Sequence, residues 1–202
     1  MQTATNNYTQ ISDRAKRCAV PKIAVIREEV TDRLRKNERI IDLSSGDVDS
    51  SLKYAGHDDA FKKAVENLHR YPPALGKKDL RDKIKDTLAE EGFRNLGTED
   101  ICITNGGIQG LFTIALALPD DPIVVVAPYW GPIVEHYRIF NKPVLFSHLT
   151  EDLELNLEDI EKWLNFRPSP TAIYVNTPHN PTGAVFSKKS LEDLTELADK
   201  YS

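Results

Sequence analysis

Cysteine is scarce in this 202-residue sequence, and that scarcity excludes several kinds of protein. The two cysteines, Cys18 and Cys102, supply neither a disulfide framework nor the spacing of a metal-binding cluster. We therefore expect no metal site. Cysteine usage of this kind favours a cytoplasmic location.

Long apolar runs are missing as well. No stretch approaches the roughly 20 apolar residues that cross a bilayer, and the run at residues 114–118 is far too short. The first ten residues are polar and lack the apolar segment of a secretory signal. We expect no membrane partner.

An excess of basic residues is the third absence. Lysine and arginine (26) are outnumbered by aspartate and glutamate (31), which gives a net charge of −5. The basic residues are scattered along the chain, so we expect no nucleic-acid partner. The hydrophobic share of 40% and charged share of 28% are typical of a soluble globular protein.

Before residue 100 the apolar pattern is helical. Residues up to about Cys18 form a polar N-terminal arm, and Pro21 opens a helix with its apolar residues on one face. Two more helices are predicted around residues 61–68 and 80–88, with Gly92 as the C-terminal cap of the second.

From residue 101 onward, short apolar runs alternate with helical patterns. Candidate strands lie at residues 101–104, 123–127, 144–146 and 172–175. Helices are predicted at residues 108–118, up to Phe140, at 157–164, and after Ser187, which serves as an N-cap. This alternation predicts a mainly parallel sheet covered by helices on both faces, a three-layer α/β/α fold.

Three loops that follow predicted strands contain residues suited to ligand binding. Asn105-Gly106-Gly107 precedes a helix whose free N–H groups favour an anion such as phosphate; the alternative is a tight turn. Trp130 offers a flat face for a ring, or it simply packs in the core. The stretch T-P-H-N-P-T-G at residues 177–183 fixes its backbone with two prolines, and it is either a rigid site for Asn180 or a plain turn.

If all three loops lie at one edge of the sheet, they converge on one phosphorylated aromatic ligand. Together they resemble the N-terminal half of the class I/II aminotransferases, which are fold type I enzymes that use pyridoxal 5′-phosphate (PLP). The most specific match is N-T-P-H-N-P-T-G at residues 176–183. Supporting matches are Y-P-P-A-L-G at residues 71–76 with L-R at 80–81, N-G-G at 105–107 and A-P-Y-W at 127–130.

The resemblance implies cofactor-binding roles for four residues. The backbone of Gly107 and Ile108 would hold the PLP phosphate, and Trp130 would stack on the pyridine ring. Asn180 would donate a hydrogen bond to the phenolic oxygen of the cofactor. His179 would position the loop rather than act as a base.

Two further matches concern the substrate and the partner. Gly46 corresponds to the glycine that touches the substrate carboxylate. Tyr71 corresponds to a tyrosine that reaches the phosphate of the neighbouring subunit, so a homodimer is implied.

The resemblance places the Schiff-base lysine, the ring-nitrogen aspartate and the carboxylate-binding arginine beyond Ser202. Lys188 and Lys189 follow the motif too closely to be that lysine, so we expect no catalytic residue in this chain. The last helix is also still running at Ser202. We therefore expect an N-terminal fragment, with residues 1–45 as an arm and helix of the small domain and 46–202 as part of the PLP-binding large domain.

The implied activity is transfer of an amino group from an amino acid to a 2-oxo acid, by a protein of which this fragment alone is inactive. One alternative is a lyase, decarboxylase or synthase of the same fold. The others are a non-catalytic truncated PLP-binding protein and an unrelated α/β phosphate-binding domain.

Overall fold

The structure is a computed structural model, and it describes residues 12–18, 22–44, 46, 57–66, 70–166, 169–170 and 172–201. Two predicted helix positions lie outside the described residues: Pro21 as a helix start and Leu68 in the helix predicted around residues 61–68. Most residues of the predicted N-terminal arm also lie outside them. None of the helices in the described ranges is long and apolar enough to span a membrane.

The described part before residue 101 is helical, as predicted. Its helices are α1 (Asp13–Lys16), α2 (Lys22–Arg35), α3 (His57–Val65) and α4 (Lys78–Glu90), and a 3-10 turn follows at Thr98–Asp100. Helix α1 lies within the predicted arm, where Ser12 accepts a hydrogen bond from the Ala15 N–H at 3.2 Å as its N-cap. Gly92 adopts a φ of +107° two residues beyond α4, which confirms its predicted place just past the end of this helix.

The later elements are α5 (Gly106–Ala117), β1 (Ile123–Ala127), α6 (Gly131–Ile139), β2 (Val144–His148), α7 (Leu157–Leu164), β3 (Ala172–Tyr174) and α8 (Lys188–Lys200). The bounds of β1 and α7 are those predicted from the sequence. Ser187 is the N-cap of α8, since its hydroxyl accepts from the Ser190 N–H at 3.1 Å. Helix α5 begins two residues earlier than predicted, at Gly106.

One predicted strand is wrong. Residues 101–104 are not part of any strand ladder, although Ile101 has extended dihedral angles. The Ile103 N–H donates instead to the carbonyl of Leu75 at 3.0 Å. A strand needs a neighbour that supplies a run of hydrogen bonds, and no strand among the described residues pairs with this segment.

The described residues form a parallel sheet with strand order β2–β1–β3. Ile123 lies opposite Val144 on one side and Ala172 on the other. Strand β1 is therefore central, and all five of its residues are buried. A β-branched run of this kind is what a strand covered on both faces requires.

Alternate residues of β1 face two separate apolar layers. Ile123 and Val125 pack with residues of α5 and α6, including Ala115 and Tyr137. Val124 packs on the opposite face with residues of α7 and α8. The predicted three-layer α/β/α arrangement is confirmed for this part of the chain.

Basic side chains cap the ends of two helices in these layers. Lys142 is buried, and its ammonium group donates to the carbonyl of Ala115 at 2.7 Å and to that of Leu118, at the end of α5. The Arg17 guanidinium donates to the carbonyls of Arg138 and Ile139 at 3.2 Å each, at the end of α6. Both contacts satisfy carbonyls that have no partner inside their own helix.

The chain divides into two compact units. One contains Met1–Val25 and Gly110–Ser202, and the other contains Ile26–Gln109. The boundary predicted between residues 45 and 46 refers to the domains of a whole enzyme of the family and stays a prediction.

Candidate functional site

Two of the three candidate loops follow neighbouring strands. Trp130 lies three residues beyond the end of β1, and Asn180 lies six residues beyond the end of β3. Because β1 and β3 are parallel and adjacent, their carboxyl ends meet at the same edge of the sheet. This is the edge at which open α/β sheets bind ligands.

The loop after β3 is held by hydrogen bonds between its own residues. The His179 N–H donates to the carbonyl of Ala184 at 2.7 Å, and the Gly183 N–H donates to the carbonyl of His179 at 2.6 Å. The His179 ring is buried, and its Nδ1 lies 2.9 Å from the hydroxyl of Thr182. His179 therefore organises the loop, in agreement with its predicted role.

Asn180 lies at the tip of this loop and its side chain is exposed. Its backbone N–H donates to the side-chain oxygen of Asn176 at 2.9 Å. The peptide bonds that precede Pro178 and Pro181 are both cis, a feature that the sequence analysis did not predict. Because the Asn180 side chain is exposed, its amide is available to a ligand.

The loop after β1 rests on aromatic packing. The ring of Tyr129 stacks on Phe146 of β2, with centroids 5.1 Å apart and an interplanar angle of 16°. Trp130 is half-buried and packs against the apolar layer of α5 and α6, and its carbonyl accepts from the Ile133 N–H at 3.2 Å. Trp130 is thus partly packed against the core and partly accessible.

The third loop leads into α5. Gly106 has a φ of +72°, a region that suits glycine, and it opens the helix. The Asn105 N–H donates to the side-chain oxygen of Gln109 at 2.5 Å. The first N–H groups of a helix lack carbonyl partners within it, so Gly107 and Ile108 carry donors of the kind that bind phosphate. A Cβ added at Gly107 would have no atom within 4 Å, so its backbone is open to a ligand.

The structure therefore brings Trp130 and Asn180 to one sheet edge. The prediction that Gly107 and Ile108 reach the same edge rested on a strand at residues 101–104, and that strand is wrong. Their approach to Trp130 and Asn180 stays a prediction. Tyr71 is fully exposed at 101%, and Gly46 is also exposed, with no atom within 4 Å of an added Cβ.

Burial shifts the pKa of two phenols and one imidazole in this part of the chain. It raises the pKa of Tyr174 on β3 and that of Tyr137 on α6. It lowers the pKa of His136, whose Nδ1 has no hydrogen-bond partner among the residues that the structure describes. In all three side chains burial favours the neutral form.

Sequence reasoning assigned no role to Tyr129, Phe146, Asn176 or Thr182, although three of them stand in the matched motifs. Asn and Thr side chains in loops are frequent acceptors for nearby backbone N–H groups, so the contacts of Asn176 and Thr182 could have been predicted. The Tyr129–Phe146 stack carries no sequence signal, because it depends on the register of β1 against β2.

The sequence pattern of the family described as aminotransferase class I and II matches residues 38–202. The chain belongs to this family. It is 25% identical over 194 residues to an aspartate aminotransferase of Thermotoga maritima, covering 94% of the chain and 51% of that protein. It is 29% identical over 170 residues to an aspartate/prephenate aminotransferase of Thermus thermophilus, covering 83% of the chain and 44% of that protein.

Solved structures agree with this assignment. An aspartate aminotransferase of Thermus thermophilus with maleate has the same fold, with a TM-score of 0.87 at 24% identity, over 96% of this chain and 52% of that one. An alanine aminotransferase of Pyrococcus furiosus matches with a TM-score of 0.83 at 27% identity, over 95% of this chain and 50% of that one. The chain spans about half the length of the relatives it matches.

Proposed function

We propose that the protein transfers an amino group from an amino acid to a 2-oxo acid with PLP as its cofactor. Membership of the class I/II aminotransferases supports this, and so do the names of the relatives, which are aspartate, prephenate and alanine aminotransferases. The observation that carries the proposal is the loop at residues 176–183, which presents the exposed side chain of Asn180 at the carboxyl end of β3.

In this proposal four residues hold the cofactor. The N–H groups of Gly107 and Ile108 bind the phosphate, the indole of Trp130 covers one face of the pyridine ring, and the Asn180 amide donates to the phenolic oxygen. When bound, PLP supplies an electron sink for the bonds at the amino acid's α-carbon. The open backbone at Gly107 and the exposed amide of Asn180 fit these roles.

Other residues bind the substrate or the partner subunit. We assign Gly46 to the substrate carboxylate and Tyr71 to the phosphate of a neighbouring subunit, so the working form is a homodimer. The homodimer is supported by helix α5, which has no charged residue. Three of its apolar side chains are nevertheless more than half exposed: Ile108, Ile114 and Leu116. A helix that is apolar on all sides is normally buried. Light scattering of the full product of the gene tests the dimer.

We also propose that the protein acts in the cytoplasm. Its two cysteines are both exposed and free, which suits a reducing compartment.

Cofactor binding is tested by calorimetric titration of the full product of the gene with pyridoxamine 5′-phosphate, which has no aldehyde and forms no adduct with surface lysines. Asn180→Ala should weaken binding about 10- to 100-fold, because a hydrogen bond to a charged oxygen is lost. Asn95→Ala is the control, since it removes another exposed asparagine side chain from a turn. Pyridoxamine without its phosphate should also bind more weakly. Equal affinity of the Asn180→Ala and unsubstituted chains would refute the site.

Measurements of turnover distinguish the proposed aminotransferase from a lyase of the same fold and from a non-catalytic protein. Residues 1–202 alone should show no transamination, because the resemblance places the covalent lysine beyond Ser202. PLP-dependent turnover by this chain that survives Lys188→Ala and Lys189→Ala would contradict that. In the full product of the gene, amino-group transfer to 2-oxoglutarate supports an aminotransferase, and release of product without a 2-oxo acid supports a lyase of the same fold. Binding without turnover there supports a non-catalytic protein.

A further inference from the structure

Asn176 contacts the backbone of the residue that the proposed site depends on. It lies two residues beyond the end of β3, and it is half-buried. Its side-chain oxygen accepts a hydrogen bond from the Asn180 N–H at 2.9 Å. Asn176 thus links the tip of the loop to the rigid sheet.

The other hydrogen bonds of the loop hold different residues. Thr177 accepts from the Phe186 N–H at 3.3 Å, and Thr182 accepts from the Ala184 N–H at 3.2 Å. Both bonds fix the second half of the loop, where it returns to α8. Neither reaches Asn180.

The prolines make the Asn176 contact more important. Pro178 and Pro181 have no N–H, so only His179 and Asn180 can donate from the backbone between them. The His179 N–H is bound to Ala184 across the loop. The Asn180 N–H is therefore the donor through which the tip itself can be fixed, and Asn176 is its acceptor.

We propose that Asn176 is a positioning residue that sets the orientation of the Asn180 side chain toward the phenolic oxygen of the cofactor. This inference rests on the proposed function. Fixing the backbone nitrogen of Asn180 fixes the direction in which its Cα–Cβ bond leaves the loop, so fewer orientations are open to the side chain. The amide is then aligned before the cofactor arrives, and less freedom is lost on binding.

A double-mutant cycle tests the proposal in the full product of the gene, with pyridoxamine 5′-phosphate as the probe. Asn176→Ala should raise the Kd about fivefold, because a neutral hydrogen bond that aligns the donor is lost. In the Asn180→Ala background the same substitution should change the Kd by less than about twofold, because there is no donor left to align. Thr177→Val is the matched control, since it removes a side-chain acceptor from the same loop without touching Asn180.

Amide hydrogen exchange gives a readout that does not depend on the cofactor. The Asn180 N–H should exchange faster in Asn176→Ala. It should stay slow in Asn176→Asp, because aspartate keeps an acceptor oxygen at the same place. Unchanged protection of the β1 amides in each variant shows that the sheet remains folded.

Each result decides between the two proposals. If the unsubstituted protein does not bind, or if Asn180→Ala binds as tightly as the unsubstituted protein, the proposed function is overturned and this inference with it. If Asn180→Ala weakens binding and Asn176→Ala does not, only the inference is overturned. Equal weakening by Asn176→Ala in both backgrounds also overturns it, because the effect would then not act through Asn180.

Discussion

The two compact units of the chain differ in how far their apolar side chains are buried. Among the described residues, every buried one belongs to the unit formed by Met1–Val25 and Gly110–Ser202. In the unit formed by Ile26–Gln109, Leu43 is 89% exposed and Phe61 is 63% exposed. One unit has a core of its own, and the other presents helices with uncovered apolar faces.

This difference shows what an apolar pattern does and does not predict. In β1 the pattern predicts both the element and its burial, because parallel neighbours and two helical layers are supplied by the same unit. In α3 and α4 the pattern predicts helices with one apolar face, yet nothing in their own unit buries Phe61 or Leu80. The periodicity of apolar residues identifies the apolar face of a helix, but burial of that face also requires another element that packs against it.

The largest expected effect comes from truncating the same residue type in each unit. Ile160 of α7 is fully buried, and Ile26 of α2 is 46% exposed. Ile160→Ala should lower the free energy of unfolding by about 2–5 kcal/mol, because it removes buried contacts and leaves a cavity. Ile26→Ala should change it by about 0.5 kcal/mol or less. Denaturant unfolding measures both, and similar losses would remove the distinction between the units.

A tight contact inside the loosely covered unit gives the next largest effect. Gly76 has a φ of +91°, and a Cβ added there would clash with Cγ1 of Ile103. Gly92 has a φ of +107° with no atom within 4 Å of such a Cβ. Gly92→Ala should cost about 1–2 kcal/mol of backbone strain. Gly76→Ala should cost about 1–3 kcal/mol more because of overpacking.

The two glycine variants are compared by denaturant unfolding under one set of conditions. Equal losses of stability would mean that the packing of Ile103 on residues 75–76 does not persist in solution. The unit of Ile26–Gln109 would then have even less internal order than its exposed residues suggest.

Buried polar contacts in the well-covered unit form the third test. Lys142→Met keeps the apolar stem but removes the ammonium group from the carbonyls of Ala115 and Leu118. Leaving buried carbonyls unpaired should cost about 1–3 kcal/mol. Lys188→Met is the control, because Lys188 is exposed and pairs with the exposed carboxylate of Glu192 at 3.5 Å. Thermal and denaturant unfolding should separate the two, and equal stability would show that water replaces the lost ammonium.

Much of the fold could be predicted because the sequence signals were local. The run of β-branched residues at 123–127 and the N-cap Ser187 each mark an element within a few residues. The strand at residues 101–104 carried the same kind of signal and is wrong, because a ladder depends on a neighbour that periodicity cannot identify. Helix α1 was not predicted, since a single turn has too few residues to show a period.

The residues of the candidate site likewise include some that could be predicted from the sequence and some that could not. Asn180 and Trp130 were found because a motif and its place after a strand mark them. Phe146 was not found, because its contact with Tyr129 forms only when β1 pairs with β2. Asn176 stands in the matched motif, but its contact with the Asn180 N–H forms only when the loop closes. A motif can mark a residue, whereas the contacts through which one residue supports another depend on the folded geometry.

The smallest effect is expected at the surface network that joins α7 to α8. The Glu161 carboxylate accepts hydrogen bonds from Lys200 at 2.6 Å and from Tyr201 at 2.9 Å, and these bonds lower its pKa. A carboxyl group whose pKa is lower in the folded chain stabilises it above the usual value of about 4.3. That stability is lost as the pH falls below this value and through the folded pKa. The contribution should be small and should weaken in high salt, because the groups are exposed.

Glu161→Gln should therefore reduce the fall in stability between about pH 4.5 and pH 3, relative to the unsubstituted chain. Lys200→Met should reduce it in part, because Lys200 contributes most to the shift and the Tyr201 bond remains. Denaturant midpoints measured across this range at low and high salt provide the test. Identical pH profiles for Glu161→Gln and the unsubstituted chain would show that the network adds nothing. The better-covered unit would then owe its stability to the buried layers on either side of β1 and not to the charges on its surface.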